Sequence, residues 1–329
     1  MIGLFYRKKR EGVNSMETVF SAIDKDLLLH KNICIPYEGA SPIKILRNIV
    51  FAFRHRVEVN HITGDAHYIA IGLGRNTILT IHDVQSALRI NNPLKRFYVK
   101  LLWFYIPALI VKKITVISEF TRKELIRIIP FAKNKIVVVH NPFCSDLQFS
   151  FTKNNNDKPI ILHLGTKSNK NLERVAEAVK NINCKLVVLG KMTSSQHELM
   201  RKFNVNYEEY FDLPYGKVIE LYQHCNVVSF PSLYEGFGLP ILEANVIGRP
   251  VLAGDIEVLH EVAGEAAYFV NPKDTNAIKS GFVELLNDSD LQNRLVKKGF
   301  DNVRRFNPQY IASKYNKLYI QLKHKKNAI

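Results

Sequence analysis

The sequence predicts an α/β protein built from two doubly wound, Rossmann-like domains. Three observations predict it. A chain of 329 residues is long enough for two domains of about 150 residues each. Short β-branched runs alternate with longer helical patterns, which implies parallel sheets covered on both faces. The alternation breaks once, from Asn141-Pro142 to Lys158-Pro159, where Lys153-Asn154-Asn155-Asn156-Asp157-Lys158 forms an aperiodic polar stretch, and then restarts. The expected division is a first domain over 1–145, a linker over 146–158, a second domain over 159–305 and a last helix over 306–329.

In the first half, strands are expected at Ile2–Phe5, Ile33–Ile35, Val57–His61, Thr77–His82, Ile114–Ile117 and Ile136–Val139, where apolar and β-branched residues concentrate. Helices are expected over Ser15–Leu29, Ile43–Phe53, Leu94–Val111 and Thr121–Ile128. Ser15 and Ser118 stand just ahead of apolar periodic stretches, where a hydroxyl caps free N–H groups. In the second half, strands are expected at Ile160–Leu164, Lys185–Leu189, Val227–Phe230, Pro250–Ala253 and Ala267–Val270. The helical patterns between them cover Asn171–Lys180, Ser195–Phe203, Lys217–His224, Leu239–Ile247 and Glu257–Ala263, and three more follow from Asp274. Ligands of such sheets bind beyond the carboxyl ends of the strands, so two facing domains would form a cleft.

Composition narrows the class. At 47% hydrophobic and 23% charged residues, the chain is neither disordered nor fibrous. Cys34, Cys144, Cys184 and Cys225 lie far apart, which argues against a disulfide scaffold or structural zinc and suits a reducing cytoplasm. The six residues ahead of Arg7-Lys8-Lys9-Arg10 are too few for a signal-peptide core. The apolar run from Phe97 to Val111 is interrupted by Lys100 and Pro107 and falls short of the roughly 20 residues a membrane span needs.

The segment richest in chemistry runs from Pro231-Ser232 through Glu235-Gly236-Phe237-Gly238-Leu239-Pro240 to Glu243-Ala244. It reads as a strand end, a loop with two glycines and a helix starting near Leu239, with Pro240 suited to the first turn. The glycines let a ligand approach the backbone, and the helix start offers free N–H groups to an anion. A single glutamate here could simply complement the helix dipole. Two glutamates bracketing Gly-Phe-Gly-Leu-Pro point further. They also invite a glycosidase reading, since glycosidases work with two carboxylates, but the glycines and the helix start favour a diphosphate over a hydrolytic water.

This segment resembles the E-x7-E signature of retaining GT-B glycosyltransferases of glycosyltransferase family 4. Other segments agree: His260-Glu261-Val262-Ala263-Gly264, Val270-Asn271-Pro272, Gly165-Thr166-Lys167-Ser168-Asn169-Lys170-Asn171-Leu172, and in the first half His61-Ile62-Thr63-Gly64-Asp65, Thr80-Ile81-His82-Asp83 and Val116-Ile117-Ser118-Glu119. The resemblance covers nearly the whole chain and is strongest from 160 to 275.

The resemblance implies a GT-B fold whose last helix, around Pro308–Lys323, crosses back to the first domain. It implies that Glu243 holds the ribose hydroxyls of a nucleotide-diphosphate sugar and that Glu235 contacts the donor sugar. Gly236, Phe237, Gly238 and Leu239 would line the donor, with Lys167 and Lys170 offsetting the charge of the diphosphate. His82 would lie near the donor sugar and the acceptor proton, with His61, Asp65 and Gly12 on the acceptor side. Where the family has an Arg–Lys pair, this loop is shorter and holds two lysines. Where the family has two adjacent glycines in the first βα turn, this chain has Gly12 alone.

No cofactor is expected beyond the nucleotide sugar as substrate, and no metal. Asp24-Lys25-Asp26 and Asp288-Ser289-Asp290 fall in or beside helical patterns, and no His/Cys cluster has ligand spacing. Gly72-Leu73-Gly74 lacks the rest of a dinucleotide fingerprint. The alternative reading is a catalytically inactive sugar-nucleotide-binding subunit. Nucleic-acid binding rests on charge alone, and no motif supports it.

The net charge of +16 is uneven: residues 1–150 hold 22 Lys+Arg against 11 Asp+Glu, and the rest hold 24 against 19. The basic clusters Arg7–Arg10, Arg54/Arg56, Lys95/Arg96 and Lys112/Lys113 belong to the acceptor half. They favour an anionic partner there, such as a membrane carrying a lipid-linked glycan. The expected location is the cytoplasm, peripheral on the inner face of its membrane.

Overall fold

The computed structural model describes residues 1–8, 19–39, 41–84, 90–144, 146–150 and 158–324. They divide into two compact units, Met1–Pro142 with Asn307–Ile329, and Phe143–Phe306.

The first unit holds six parallel strands: Ile2–Tyr6 (β1), His30–Cys34 (β2), Val59–Ile62 (β3), Thr77–Ile81 (β4), Lys113–Val116 (β5) and Ile136–Val138 (β6), in the order β2-β1-β3-β4-β5-β6. The helices Pro42–His55 (α1), Ala70–Leu73 (α2) and Glu119–Ile128 (α5) form in the crossovers that parallel pairing demands. Ser118 caps α5, its Oγ accepting from Thr121 N, so that expectation holds. Ser15 lies outside the described residues. The helix expected to reach Leu29 gives way to a 3-10 turn at Asp24–Asp26, where Asp24 Oδ1 accepts from His30 Nε2 (2.9 Å) and Asn32 Nδ2 (3.2 Å).

The apolar run 93–110 forms Pro93–Val99 (α3) and Ile106–Ile110 (α4) around a π-helical stretch, Lys100–Tyr105. Pro107 explains the irregularity. It has no N–H for the carbonyl of Trp103 four residues back, and His67 Nδ1 donates to that oxygen instead, at 2.7 Å.

The second unit also holds six parallel strands: Ile160–Leu164 (β7), Lys185–Leu189 (β8), Tyr207–Tyr210 (β9), Val227–Phe230 (β10), Val251–Gly254 (β11) and Tyr268–Val270 (β12). Their order is β12-β11-β10-β7-β8-β9. The helices are Leu172–Val179 (α6), Ser194–Lys202 (α7), Tyr215–His224 (α8), Leu239–Ile247 (α9), Glu257–Ala263 (α10), Thr275–Asn287 (α11) and Ser289–Val303 (α12). The order reverses between β7 and β10, so the loops leaving those two strands mark this sheet's switch point. The expected linker begins as packed structure: Leu147 is buried, and the Phe149 ring meets that of Phe300 at 5.1 Å. Residues 151–157 lie outside the description.

The last helix, Pro308–His324 (α13), returns to the first unit. Tyr315 and Tyr319 are buried there, and Asn316 Nδ2 donates to Asp26 O at 2.9 Å.

Candidate functional site

The loop between β7 and α6 lays the side chain of Lys170 over Gly165. Gly165 ends the strand at φ +90°, a region that disfavours side chains, and a Cβ there would stand 2.9 Å from Lys170 Cγ. Lys170 closes a 3-10 turn, and Asn171 then adopts the left-handed conformation at φ 67° before α6 begins. Lys170 Nζ thereby reaches Glu235 Oε1 at 2.7 Å and lies 4.7 Å from the centre of the Phe230 ring.

Both neighbours of Lys170 tie this loop to the one leaving β10. Asn169 O accepts from Leu233 N (2.8 Å), and its amide donates to Tyr234 O (3.0 Å). The buried amide of Asn171 donates to Pro231 O (3.0 Å) and to Pro272 O (2.6 Å). Gly254 permits the close approach of β11, since a Cβ there would meet Ser232 O at 2.5 Å.

Below this loop, His163 on β7 is fully buried, its Nδ1 3.1 Å from Ser229 Oγ on β10. Burial, with Lys170 adding to it, drives its pKa down to about 3, so the imidazole is neutral at physiological pH.

Gly238 precedes α9 with no capping side chain, so the helix start presents its N–H groups uncapped by side chains. One turn in, Glu243 accepts from Tyr215 OH on Oε1 (3.2 Å) and from Tyr222 OH on Oε2 (2.5 Å). Burial raises this carboxyl above its ordinary range, and the two phenol donors pull it part of the way back. Each oxygen keeps a second lone-pair direction, so the carboxylate is fixed in place yet can still accept from a diol.

The structure brings Lys170, Glu235 and the α9 start to one switch point. Lys167 lies exposed on the same loop. Gly236 and Leu239 are half-buried, and the Phe237 ring is a core anchor, edge-on to Phe306 at 5.8 Å. Any contact Phe237 makes with a ligand is therefore through its backbone.

In the first unit, His82 follows β4 and places Nε2 2.9 Å from Thr63 O. Burial lowers its pKa, and Asp83 and Asp65 oppose the shift less strongly than the Thr63 carbonyl does. With Nε2–H donating, Nδ1 keeps its lone pair.

His61 departs from expectation. It is fully buried, with Nδ1 2.7 Å from Tyr319 OH and Nε2 2.7 Å from Thr80 Oγ1. Both ring nitrogens are engaged, so His61 fastens α13 to the sheet and does not line an acceptor surface. Gly12 lies outside the described residues.

Asp65 stands at a cleft of about 130 Å³ together with Arg7, Tyr37, Tyr68 and Trp103. Arg7 Nη1 is 3.5 Å from Asp65 Oδ2, and the Trp103 indole donates to Asp65 O at 2.6 Å. Asn48, buried beneath, donates to Tyr37 O and to Tyr68 OH, each at 2.9 Å. Arg7 is itself 6% exposed, so it belongs to this cleft and not to an outward basic cluster. The tyrosines and Trp103 were not singled out in the sequence. Trp103 sits inside an apolar run, where it reads as a core residue, and it reaches this cleft from the π-helical stretch.

Among the described residues no group of three or more His, Cys, Asp or Glu is placed to hold a metal ion. Asp24 and Asp288 serve local structure, the latter capping α12 through Leu291 N. No helix among the described residues is long and apolar enough to cross a membrane.

Comparison with known proteins bears on the family and the fold. Residues 145–301 match the family model of glycosyl transferases group 1, and residues 30–146 match that of glycosyltransferase family 4. Over 255 residues the chain is 24% identical to the O-antigen chain mannosyltransferase RfbU of Salmonella typhimurium, covering 74% of this chain and 71% of that protein. A stronger but shorter match, 37% over 95 residues, is to O-antigen chain mannosyltransferase B of Escherichia coli, spanning 29% of this chain and 24% of that protein's length. Among solved structures, Anabaena HepE in complex with UDP-glucose aligns with a TM-score of 0.77 at 13% identity, over 100% of both chains. WaaG, a glycosyltransferase involved in lipopolysaccharide biosynthesis, aligns with a TM-score of 0.73 at 12% identity, over 97% and 99%. At these identities the structural likeness speaks to the fold, which is GT-B.

Proposed function

We propose that this chain, which belongs to the group 1 glycosyltransferases of family 4, moves a sugar from a nucleotide-diphosphate donor to a glycan or lipid-linked glycan, with retention at the anomeric carbon. The setting is cell-surface polysaccharide assembly, a reading supported by the likeness to relatives named O-antigen chain mannosyltransferases. The observation that carries the reading is the Lys170–Glu235 pair, held at the switch point of the second sheet beside the uncapped start of α9.

That arrangement suits a diphosphate. The ammonium and the helix N–H groups meet the negative charge that builds as the sugar–phosphate bond breaks. Glu243, clamped by two phenols, receives the ribose hydroxyls, and Glu235 turns to the sugar once phosphate occupies Lys170. Lys167 adds a second cation at the open side of the loop. The acceptor oxygen bonds to the anomeric carbon on the face the diphosphate leaves, and the acceptor proton passes to the departing phosphate oxygen. No protein nucleophile or metal is required for this balance.

In the first unit, the cleft of Arg7, Asp65, Tyr68 and Trp103 has the chemistry of a saccharide subsite: aromatic faces for a sugar ring, a carboxylate for its hydroxyls and a cation for an anionic group. His82, neutral with Nδ1 free to accept, orients the reacting hydroxyl. The basic excess of this half favours an acceptor displayed on an anionic membrane, where the enzyme would act peripherally from the cytoplasm.

The test is a transfer assay with radiolabelled UDP-, GDP- and ADP-sugars and a lipid-linked oligosaccharide acceptor, followed by NMR of the new linkage. An α-linked product from an α-linked donor is expected. An inverted product would overturn the retaining mechanism, and nucleotide-sugar binding without any transfer would favour an inactive subunit.

A further inference from the structure

Resting on the reading of a membrane-borne acceptor, we propose that the outer face of α1 is the surface by which the protein docks on an anionic lipid bilayer. The helix buries Ile45, Asn48 and Ala52. On its other side Ile43, Leu46, Val50 and Phe53 are 67, 62, 41 and 53% exposed. Their spacing of three, four and three residues lines them up in one stripe, a second apolar face on a helix that already has its core face.

Cations flank the stripe. Lys44, Arg47, Arg54 and Arg56 are all exposed, and the Arg56 guanidinium lies 4.3 Å from the centre of the Phe53 ring. No acidic residue occurs between Glu38 and Glu58. The same pattern recurs on α3, where Leu94 and Phe97 are 80 and 66% exposed beside Lys95 and Arg96, in a stretch with no acidic residue between Asp83 and Glu119.

Apolar side chains interleaved with cations, and free of acidic residues, match the boundary between acyl chains and anionic headgroups. A second copy of the chain fits less well, because it would set cation against cation. Nucleic acid would take the cations and leave Leu46 and Phe53 in water.

The experiment is co-sedimentation of the full chain with vesicles of equimolar phosphatidylglycerol and phosphatidylethanolamine, against phosphatidylcholine vesicles, at low and high salt. The wild type binds the anionic vesicles and not the phosphatidylcholine ones. The double variant Leu46→Glu/Phe53→Glu loses at least about tenfold in vesicle affinity at any salt. Arg47→Gln/Arg54→Gln weakens binding mainly at low salt. All four side chains are exposed, so melting temperatures stay near wild type and a loss cannot be ascribed to unfolding.

A wild type that ignores anionic vesicles, or a Leu46→Glu/Phe53→Glu variant that binds them normally, overturns the proposal. So does light scattering that reveals a dimer which this variant dissociates. Turnover of a water-soluble acceptor analogue separates this surface from the catalytic reading: the variant keeps it if the enzyme is a glycosyltransferase, whatever happens on vesicles.

Discussion

Lys170 Nζ lies 2.7 Å from Glu235 Oε1, joining the loop after β7 to the loop after β10 across the point where the strand order reverses. The two side chains are 20 and 13% exposed, so the pair holds its charge largely out of water. On the proposed donor reading, an incoming diphosphate would compete with Glu235 for the ammonium and release the carboxylate toward the sugar.

The two partners therefore fail differently. Lys170→Ala should lower both diphosphate affinity and kcat/KM, the latter by about 100-fold or more. Glu235→Gln leaves the ammonium without its carboxylate, so the nucleoside diphosphate should bind at least as tightly as to wild type while kcat falls. Calorimetry and steady-state kinetics distinguish the cases. An equal loss of diphosphate affinity in both variants would contradict the separate roles.

Glu243 depends on its two phenols. Glu243→Ala should raise the donor KM by roughly tenfold to a hundredfold, the range for a hydrogen bond to a charged group. Tyr222→Phe should raise it less, since Tyr215 still holds the other oxygen. Because burial raises the Glu243 pKa, donor affinity should begin to fall at a higher pH on acidification than for an ordinary glutamate. Donor KM measured from neutral pH downward checks this, and a Tyr222→Phe variant weaker than Glu243→Ala would contradict it.

Much of this half of the fold was legible in the sequence. Apolar runs such as Ile160–Leu164 and Val227–Phe230 can be little else than buried parallel strands, and Gly-Phe-Gly-Leu-Pro between two glutamates marks a loop entering a helix. What escaped depends on distant partners. Tyr207–Tyr210 reads as polar because it is an edge strand, half-buried along its length. Tyr215 and Tyr222 reach Glu243 only once α8 packs beside α9. His61 sits in a segment that resembles the family's, but a motif does not say whether a ring faces solvent, and Tyr319, 258 residues away, decides that it does not.

The buried histidines set the response of stability to acid. Burial lowers His61 and His163 from the ordinary 6.5 to about 3. Between those values the unfolded chain binds more protons than the folded one, so stability is full above about pH 6.5 and is lost as pH falls toward 3. The melting temperature should decline steadily from pH 6.5 to 5. A flat or rising profile over that interval would contradict the burial of both rings.

Asn171 should be intolerant for two separable reasons. Asn171→Ala loses the bonds to Pro231 O and Pro272 O and places an alanine at φ 67°, for a cost of about 2–4 kcal/mol in urea unfolding. Asn171→Gly loses the same bonds but accepts the backbone, and should recover about 1 kcal/mol of that. Equal stability of both variants and wild type would mean that the side chain does not hold the loops together.

The most direct test of the donor site is the thermal shift produced by UDP-, GDP- and ADP-sugars in wild type, Lys170→Ala and Glu243→Ala. A ligand bound to the native state raises the melting temperature in proportion to the logarithm of its occupancy, so the three ligands rank themselves. At least one should stabilise the wild type, and its shift should shrink or vanish in both variants. No shift with any nucleotide sugar, or the same shift in all three proteins, would contradict a nucleotide-sugar site built on Lys170, Glu235 and Glu243.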